Sequence, residues 1–280
     1  MGGNLRVVAL QVPCEMGQPE NAVFDALSRY VADAVDLQAD LVLFPELWSL
    51  AMANPLADAG PEVRRIAKVH TAPFFAFVES LAQEAGLAIL AGSAPYIEDE
   101  CLYNTAILAL GDGRTWLQHK LFPTPEEREW GMVGGTAISV IDAPWGRTCV
   151  LVCYDSEFPS ISASLASAEP ELFLIPSMTN ADGLYRVRWA AKARVVEHHA
   201  YAVIASIVAS EVYGEIYCGQ ASALTPRQPG FPGVVALGPL DESALVAVDL
   251  DLEKLRESRE SAGMYPARDQ ERWPKDIELK

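Results

Sequence analysis

Cys153 closes an apolar run, Val150-Leu151-Val152-Cys153, and the acidic turn Tyr154-Asp155-Ser156-Glu157 follows at once. That change of character marks a strand stopping at a sharp corner, where a sulfur is lifted into a cleft as at a nucleophile elbow. Two more reactive groups stand at comparable places. Glu46 ends Leu41-Val42-Leu43-Phe44-Pro45, and Lys120 ends Thr115-Trp116-Leu117-Gln118-His119, after which Pro123 and Pro125 break the pattern. Sites in α/β proteins gather at the carboxyl ends of strands. A thiol with a pKa of about 8.5 is mostly protonated at neutral pH. An ammonium beside it favours the thiolate, and a carboxylate can take its proton. Attack on a carbonyl or nitrile carbon then builds negative charge, for which Lys120 and the backbone N–H of Tyr154 are available donors. Glu46 could return its proton to a departing amine and later activate water. A buried structural cysteine is the competing reading of any single thiol. Three strand ends of complementary chemistry weigh against it.

The elements needed to position such groups are legible. Apolar runs of strand length cover residues 5–12, 41–44, 87–91, 105–110, 148–152, 172–175, 202–208 and 244–248, and residues 115–120 alternate like a strand. Several runs are continuous rather than alternating, which predicts sheets covered on both faces. Helical periodicity predicts a helix over 20–38 with Val23, Leu27, Tyr30, Val31 and Ala34 on one face, and further helices over 63–85, 157–168 and 185–199. The order β-α-β-α, then strands with fewer helices, predicts a layered α/β protein with mixed sheets. Residues 1–257 read as one domain without a linker. Residues 258–280 read as a polar arm, frayed or laid over another subunit, ending in Trp273-Pro274-Lys275-Asp276.

The 280 residues are 50% hydrophobic, enough for a large core. A net charge of −17 repels phosphate backbones and argues against nucleic acid as a partner. No apolar run approaches the roughly 20 residues of a membrane span. Five scattered cysteines, Cys14, Cys101, Cys149, Cys153 and Cys218, form no Cys-x-x-Cys pair, and no secretory leader is evident, so a cytoplasmic setting is expected. His70, His119, His198 and His199 show no zinc spacing, so no metal or cofactor is expected. Cys149 reads as a buried strand residue. Arg194 and Glu197 stand at ion-pair spacing on a helix, and His198 and His199 at its end suit a cationic or capping role.

Phe44-Pro45-Glu46, Lys120 with Thr124-Pro125-Glu126-Glu127, and Val152-Cys153-Tyr154-Asp155-Ser156-Glu157-Phe158-Pro159 resemble, in order, three blocks of the nitrilase (carbon–nitrogen hydrolase) superfamily. Ile175-Pro176-Ser177-Met178-Thr179 and Ala193-Arg194-Val195-Val196-Glu197 resemble its later blocks. The resemblance implies a four-layer α-β-β-α sandwich with two mixed sheets. It implies Glu46 as base, Lys120 as oxyanion stabiliser and Cys153 as nucleophile. It also implies a second glutamate after the lysine. Glu127 fits the Thr-Pro-x-Glu context, Glu126 and Glu129 are alternatives, and a solvated acid at a helix start is the plain reading of Glu127. Tyr154 and Thr179 are candidate substrate contacts; packing and turn chemistry would also account for them. The chain departs from the Lys-x-His found in many relatives, having Lys120-Leu121-Phe122. Cys153-Tyr154-Asp155 is similar to the amidase and carbamoylase branches rather than to the Cys-Trp-Glu of nitrile hydrolysers. The implied activity is cofactor-free cleavage of a small non-peptide amide through a thioester. The alternatives are an N-carbamoyl amidohydrolase, a nitrilase, or a non-catalytic relative that binds a small amide. A homodimer is implied as well.

Overall fold

A computed structural model describes residues 3–270. The strand β1 (Asn4–Val12) lies at the centre, since its residues from Val7 to Val12 are all buried. It pairs in parallel with β2 (Leu41–Leu43), which pairs in parallel with β3 (Ala88–Glu98). Two antiparallel strands, β4 (Cys101–Ala109) and β5 (Thr115–His119), complete this half. The other half runs from β6 (Val140–Ala143) and β7 (Gly146–Val150) to β8 (Leu172–Ser177) and β9 (Tyr201–Ile207), with β7, β8 and β9 parallel. The halves meet where Gln11 pairs with Ser206 and Val12 with Ile207, so the hydrogen bonding is continuous across them. A small hairpin of β10 (Ser210–Val212) and β11 (Glu215–Tyr217) follows, then β12 (Ser222–Gln228) against β9, β13 (Phe231–Leu237) against β12, and β14 (Ala244–Asp251) against β1.

Side-chain alternation along these strands builds the layers. In β1, Val8, Leu10 and Val12 face a cluster that includes Val23, Leu27, Val31 and Ala34 of α1 (Glu20–Asp36), Val63 and Ile66 of α2 (Ala59–Val69), and Phe74 and Val78 of α3 (Thr71–Ala85). Val7 and Ala9 point the opposite way and join Leu41, Leu43, Val150, Val152, Leu172, Leu174 and Val203 in a core between the two halves. The other faces of β7 and β8, with Cys149, Leu151, Phe173 and Ile175, pack under α5 (Pro159–Leu165) and α6 (Ala181–His198). Helix, sheet, sheet and helix are thus stacked in that order, in agreement with the four-layer expectation. Fully burying each such Val, Leu, Ile or Phe contributes about 1.5–3 kcal/mol.

Several boundaries differ from those expected. The helix expected over 63–85 is two helices broken at His70, because Pro73 suits a first helical turn but not an interior. The helix expected over 157–168 is α5, begun by Pro159 at its first position and flanked by 3-10 turns. Asn180 caps α6 by accepting from Gly183 N–H at 3.0 Å, so that helix starts four residues earlier than its periodicity suggests. The helix α7 (Leu252–Ser261) contains the boundary expected at residue 257, and Tyr265 and Ala267 around α8 (Pro266–Asp269) are buried against the body. The terminal Trp273-Pro274-Lys275-Asp276 lies outside the described residues. No helix among the described residues is long and apolar enough to cross a membrane.

Candidate active site

Each of the three anchors leaves its strand at a place where the backbone is forced to turn. Beyond β2, Phe44 still donates to Leu90 O, and the chain then swings Glu46 inward through Leu47, which has a positive φ of 50°. This path requires glycine at position 92: its φ is +65°, and a Cβ there would stand 1.7 Å from Pro45 O. Lys120 leaves β5 with its N–H on Asn104 O at 2.8 Å. The next two amides, of Leu121 and Phe122, donate to the Asp155 carboxylate at 2.9–3.0 Å. Cys153 stands at the elbow between β7 and a 3-10 turn, Cys153–Glu157, with a positive φ of 46°. A non-glycine residue in that region is strained, and such strain concentrates at functional corners. Asp155 therefore ties the lysine loop to the thiol's own turn.

The three side chains meet in one cluster. Lys120 Nζ donates to Glu46 Oε1 at 2.7 Å and to Glu127 Oε2 at 2.6 Å, with all three side chains at most 4% exposed. Glu46 Oε2 accepts Met178 N–H at 3.0 Å, and the Cys153 thiol stands near enough to the same carboxylate for each to affect the other's ionisation. Ser177 Oγ donates to Cys153 Sγ at 3.2 Å. Glu127 belongs to α4 (Pro125–Glu129) and closes a capping box with Thr124 while its carboxylate reaches the lysine. Its neighbours Glu126 and Glu129 are exposed. Among the three candidates, only Glu127 is in the buried cluster.

Burial works against every charge here. It opposes the Lys120 ammonium, but Glu127 and then Glu46 outweigh it and hold that group well above its ordinary pKa. It pushes Glu46 above the usual carboxylate range, against the pull of Lys120. It also raises the Cys153 thiol, helped by Glu46 and opposed by Lys120. Lys120 thus favours the thiolate, as expected, but desolvation outweighs it, and the sulfur rests as a thiol facing a carboxylate. Asp155 is pushed up to about 7 by burial, despite Lys120 and the two amide donors.

These groups open into a cavity of about 540 Å³ lined by Glu46, Lys120, Glu127, Cys153, Tyr154 and Thr179, the six residues singled out from the sequence. Trp130, Glu157, Met178, Arg186 and Tyr217 also line it. Tyr154 packs edge-on against Phe158, and Phe158 stacks on Phe122, so an aromatic pair occupies the ground of the Lys-Leu-Phe departure. Thr179 exchanges backbone and side-chain hydrogen bonds with Cys218. Sequence reasoning missed Asn104, Ser177 and the Asp155 carboxylate; each acts across strands far apart in sequence, where spacing carries no signal. Elsewhere, Cys149 is buried in its strand, and Arg194 pairs with Glu197 at 2.8 Å. His199 is the left-handed C-cap of α6. Both terminal histidines are buried with pKa lowered to about 4 by desolvation, so the cationic role suggested for them gives way to a neutral one. Among the described residues no group of three or more His, Cys, Asp or Glu could hold a metal ion.

The four-layer α-β-β-α frame thus brings a thiol at a left-handed elbow beside a buried carboxylate–ammonium–carboxylate array, and this fold is that of the carbon–nitrogen hydrolases. The family profile described as carbon-nitrogen hydrolase matches residues 9–260, and the chain belongs to that family, hydrolases of carbon–nitrogen bonds other than peptide bonds. Probable hydrolase YhcX of Bacillus subtilis (strain 168) is 31% identical over 252 residues, covering 87% of this chain and 49% of that protein. The chain therefore spans about half the length of that relative. Omega-amidase NIT2-B of Xenopus laevis is 26% identical over 194 residues, 65% of this chain and 68% of that protein. In fold, the chain is similar to Nit3 of Saccharomyces cerevisiae, a member of branch 10 of the nitrilase superfamily, with a TM-score of 0.80 at 20% identity over 94% of this chain and 95% of that one.

Proposed function

We propose that this protein is an amidase that hydrolyses a small non-peptide amide through a thioester on Cys153, without a cofactor. The observation that carries the reading is the buried contact set in which Lys120 bridges Glu46 and Glu127 beside the Cys153 thiol. Cys153 Sγ attacks the amide carbon as its proton passes to Glu46. The oxyanion is held by the Lys120 ammonium and the Tyr154 N–H. Glu46 then protonates the leaving ammonia, the C–N bond breaks, and a thioester remains. Water enters, gives a proton to Glu46 and adds to the thioester carbon; the C–S bond then breaks, the acid leaves, and Glu46 returns the proton to the Cys153 sulfur. Glu127 keeps Lys120 charged, and Tyr154 and Thr179 flank the substrate. A neutral resting thiol suits this scheme, because charge appears only as the substrate is attacked. The Omega-amidase relative supports an amide as substrate. We further place the enzyme in a reducing cytoplasm, where five free cysteines are compatible with stability, and as a homodimer, which light scattering would test.

Ammonia release from a panel of amides, N-carbamoyl compounds and nitriles tests the reading. Turnover of an amide that is abolished in Cys153→Ala, with the melting curve preserved, is the expected result. Retained turnover in that variant sinks the mechanism; turnover of nitriles or carbamoyl compounds alone moves the chain to another branch.

A further inference from the structure

Asn104 is fully buried in β4 and touches every member of the charged cluster. Its Nδ2 donates to Glu46 Oε1 at 2.9 Å and to Glu127 Oε1 at 2.5 Å. Its main-chain oxygen accepts the Lys120 N–H at 2.8 Å. The two roles are separable, because a side-chain substitution leaves the backbone bond to Lys120 in place. The orientation of the amide is fixed by electrostatics, since a flipped Oδ1 would face two carboxylates. That oxygen is buried and has no hydrogen-bond partner among the described residues. Leaving an acceptor unsatisfied costs about 1–3 kcal/mol, so the donor side must return something for it.

We infer that Asn104 is a positioning residue: its one side-chain amide ties Glu46 to Glu127 and holds Glu46 as the carboxylate that receives the Cys153 proton. The inference rests on the amidase reading of the site. Two carboxylates contact one ammonium in this cluster, and Glu46 is pressed towards the neutral acid by burial and by Glu127. A neutral Glu46 cannot accept a proton. The other titratable groups facing it are Lys120, Cys153, Asp155 on the elbow turn and Tyr217 on β11. Of these, Lys120 is the opposite charge that favours the carboxylate, and the Cys153 thiol favours it to a smaller extent. Asn104 adds a donor without adding a charge, and a hydrogen bond to the ionised form lowers the pKa of the acid.

The test is the pH dependence of the site in Asn104→Ala and in Asn104→Leu, which loses the donor while keeping the volume. Two readouts are compared, kcat/KM for an amide and the rate of Cys153 alkylation by iodoacetamide, scored by peptide mass. In both variants the acid limb should move up by about one pH unit, a roughly tenfold loss below the limb, with the plateau reached again at higher pH. Glu127→Gln removes the repelling charge and should move the alkylation limb the opposite way. A uniform loss at every pH, an unmoved limb, or a shift of the same sign in Glu127→Gln overturns the inference. If the wild type hydrolyses no amide, the amidase reading fails, while the alkylation profile still decides the role of Asn104. Should the Asn104 variants fail to fold, the Glu127→Gln alkylation shift decides alone: an upward or absent shift refutes the charge balance on which the inference stands.

Discussion

Replacing Lys120 by Met would fill the same volume and remove the ammonium shared by Glu46 and Glu127. Two carboxylates, each at most 4% exposed, would then face one another with Asn104 and backbone amides as their remaining donors. Removing one partner of a buried ion pair typically costs 3–5 kcal/mol. A second route gives the same size. The cluster can avoid the uncompensated charge by protonating Glu46, and holding an acid with an ordinary pKa of about 4.3 neutral at pH 7.5 costs about 4 kcal/mol, at 1.36 kcal/mol per pH unit. At pH 5.5 that cost falls to about 1.5 kcal/mol. The sign follows from linkage: the folded variant carries a proton that the unfolded chain has released, so its stability relative to wild type falls as pH rises from 5.5 to 7.5. Urea unfolding of both proteins at the two pH values measures this. The expected deficit is about 4 kcal/mol at pH 7.5, shrinking by about 2–3 kcal/mol at pH 5.5 with an unchanged m-value. A deficit below about 1 kcal/mol, or one that does not change with pH, would refute the claim that Lys120 neutralises a buried carboxylate pair.

The glycine beneath Glu46 gives a second expectation. Gly92→Ala should lower the melting temperature by about 5–10 °C, from left-handed strain of about 1 kcal/mol plus an overpacking cost of about 1–3 kcal/mol against Pro45 O, and activity should fall with it. A scanning-calorimetry trace matching wild type would show that Pro45 does not crowd that position. Thr124→Ala opens the capping box of α4 and should cost about 1 kcal/mol. Because the same box aims Glu127 at Lys120, kcat should drop several-fold, whereas a stability loss with unchanged kcat would make the box a cap only.

What the sequence made legible follows from physics that is local. Continuous runs such as Leu41-Val42-Leu43 and Leu172-Phe173-Leu174-Ile175 read as strands because both of their faces are covered. Residues 20–36 read as a helix because one face alone is buried. The three anchors were legible for the same reason, since each stands where an apolar run ends. Strands β6 and β10 to β13 were not: β6, β10 and β11 are three or four residues long, and Pro226, Pro232 and Gly233 interrupt the pattern of β12 and β13. The deeper part of the site was hidden because its partners are distant in the chain. Asn104 lies 58 residues from Glu46, and Asp155 lies 34 from Leu121. The resting charge of Cys153 was hidden as well, because neighbours alone suggest a thiolate and only the extent of burial reverses that.

Intact-protein mass spectrometry after acid quench, during steady-state turnover of a small amide, tests the central claim most directly. The expected result is an adduct equal to the amide less ammonia, mapped by peptide mass to Cys153 and absent in Cys153→Ala. Turnover with an adduct on another cysteine, or in Cys153→Ala itself, would contradict it.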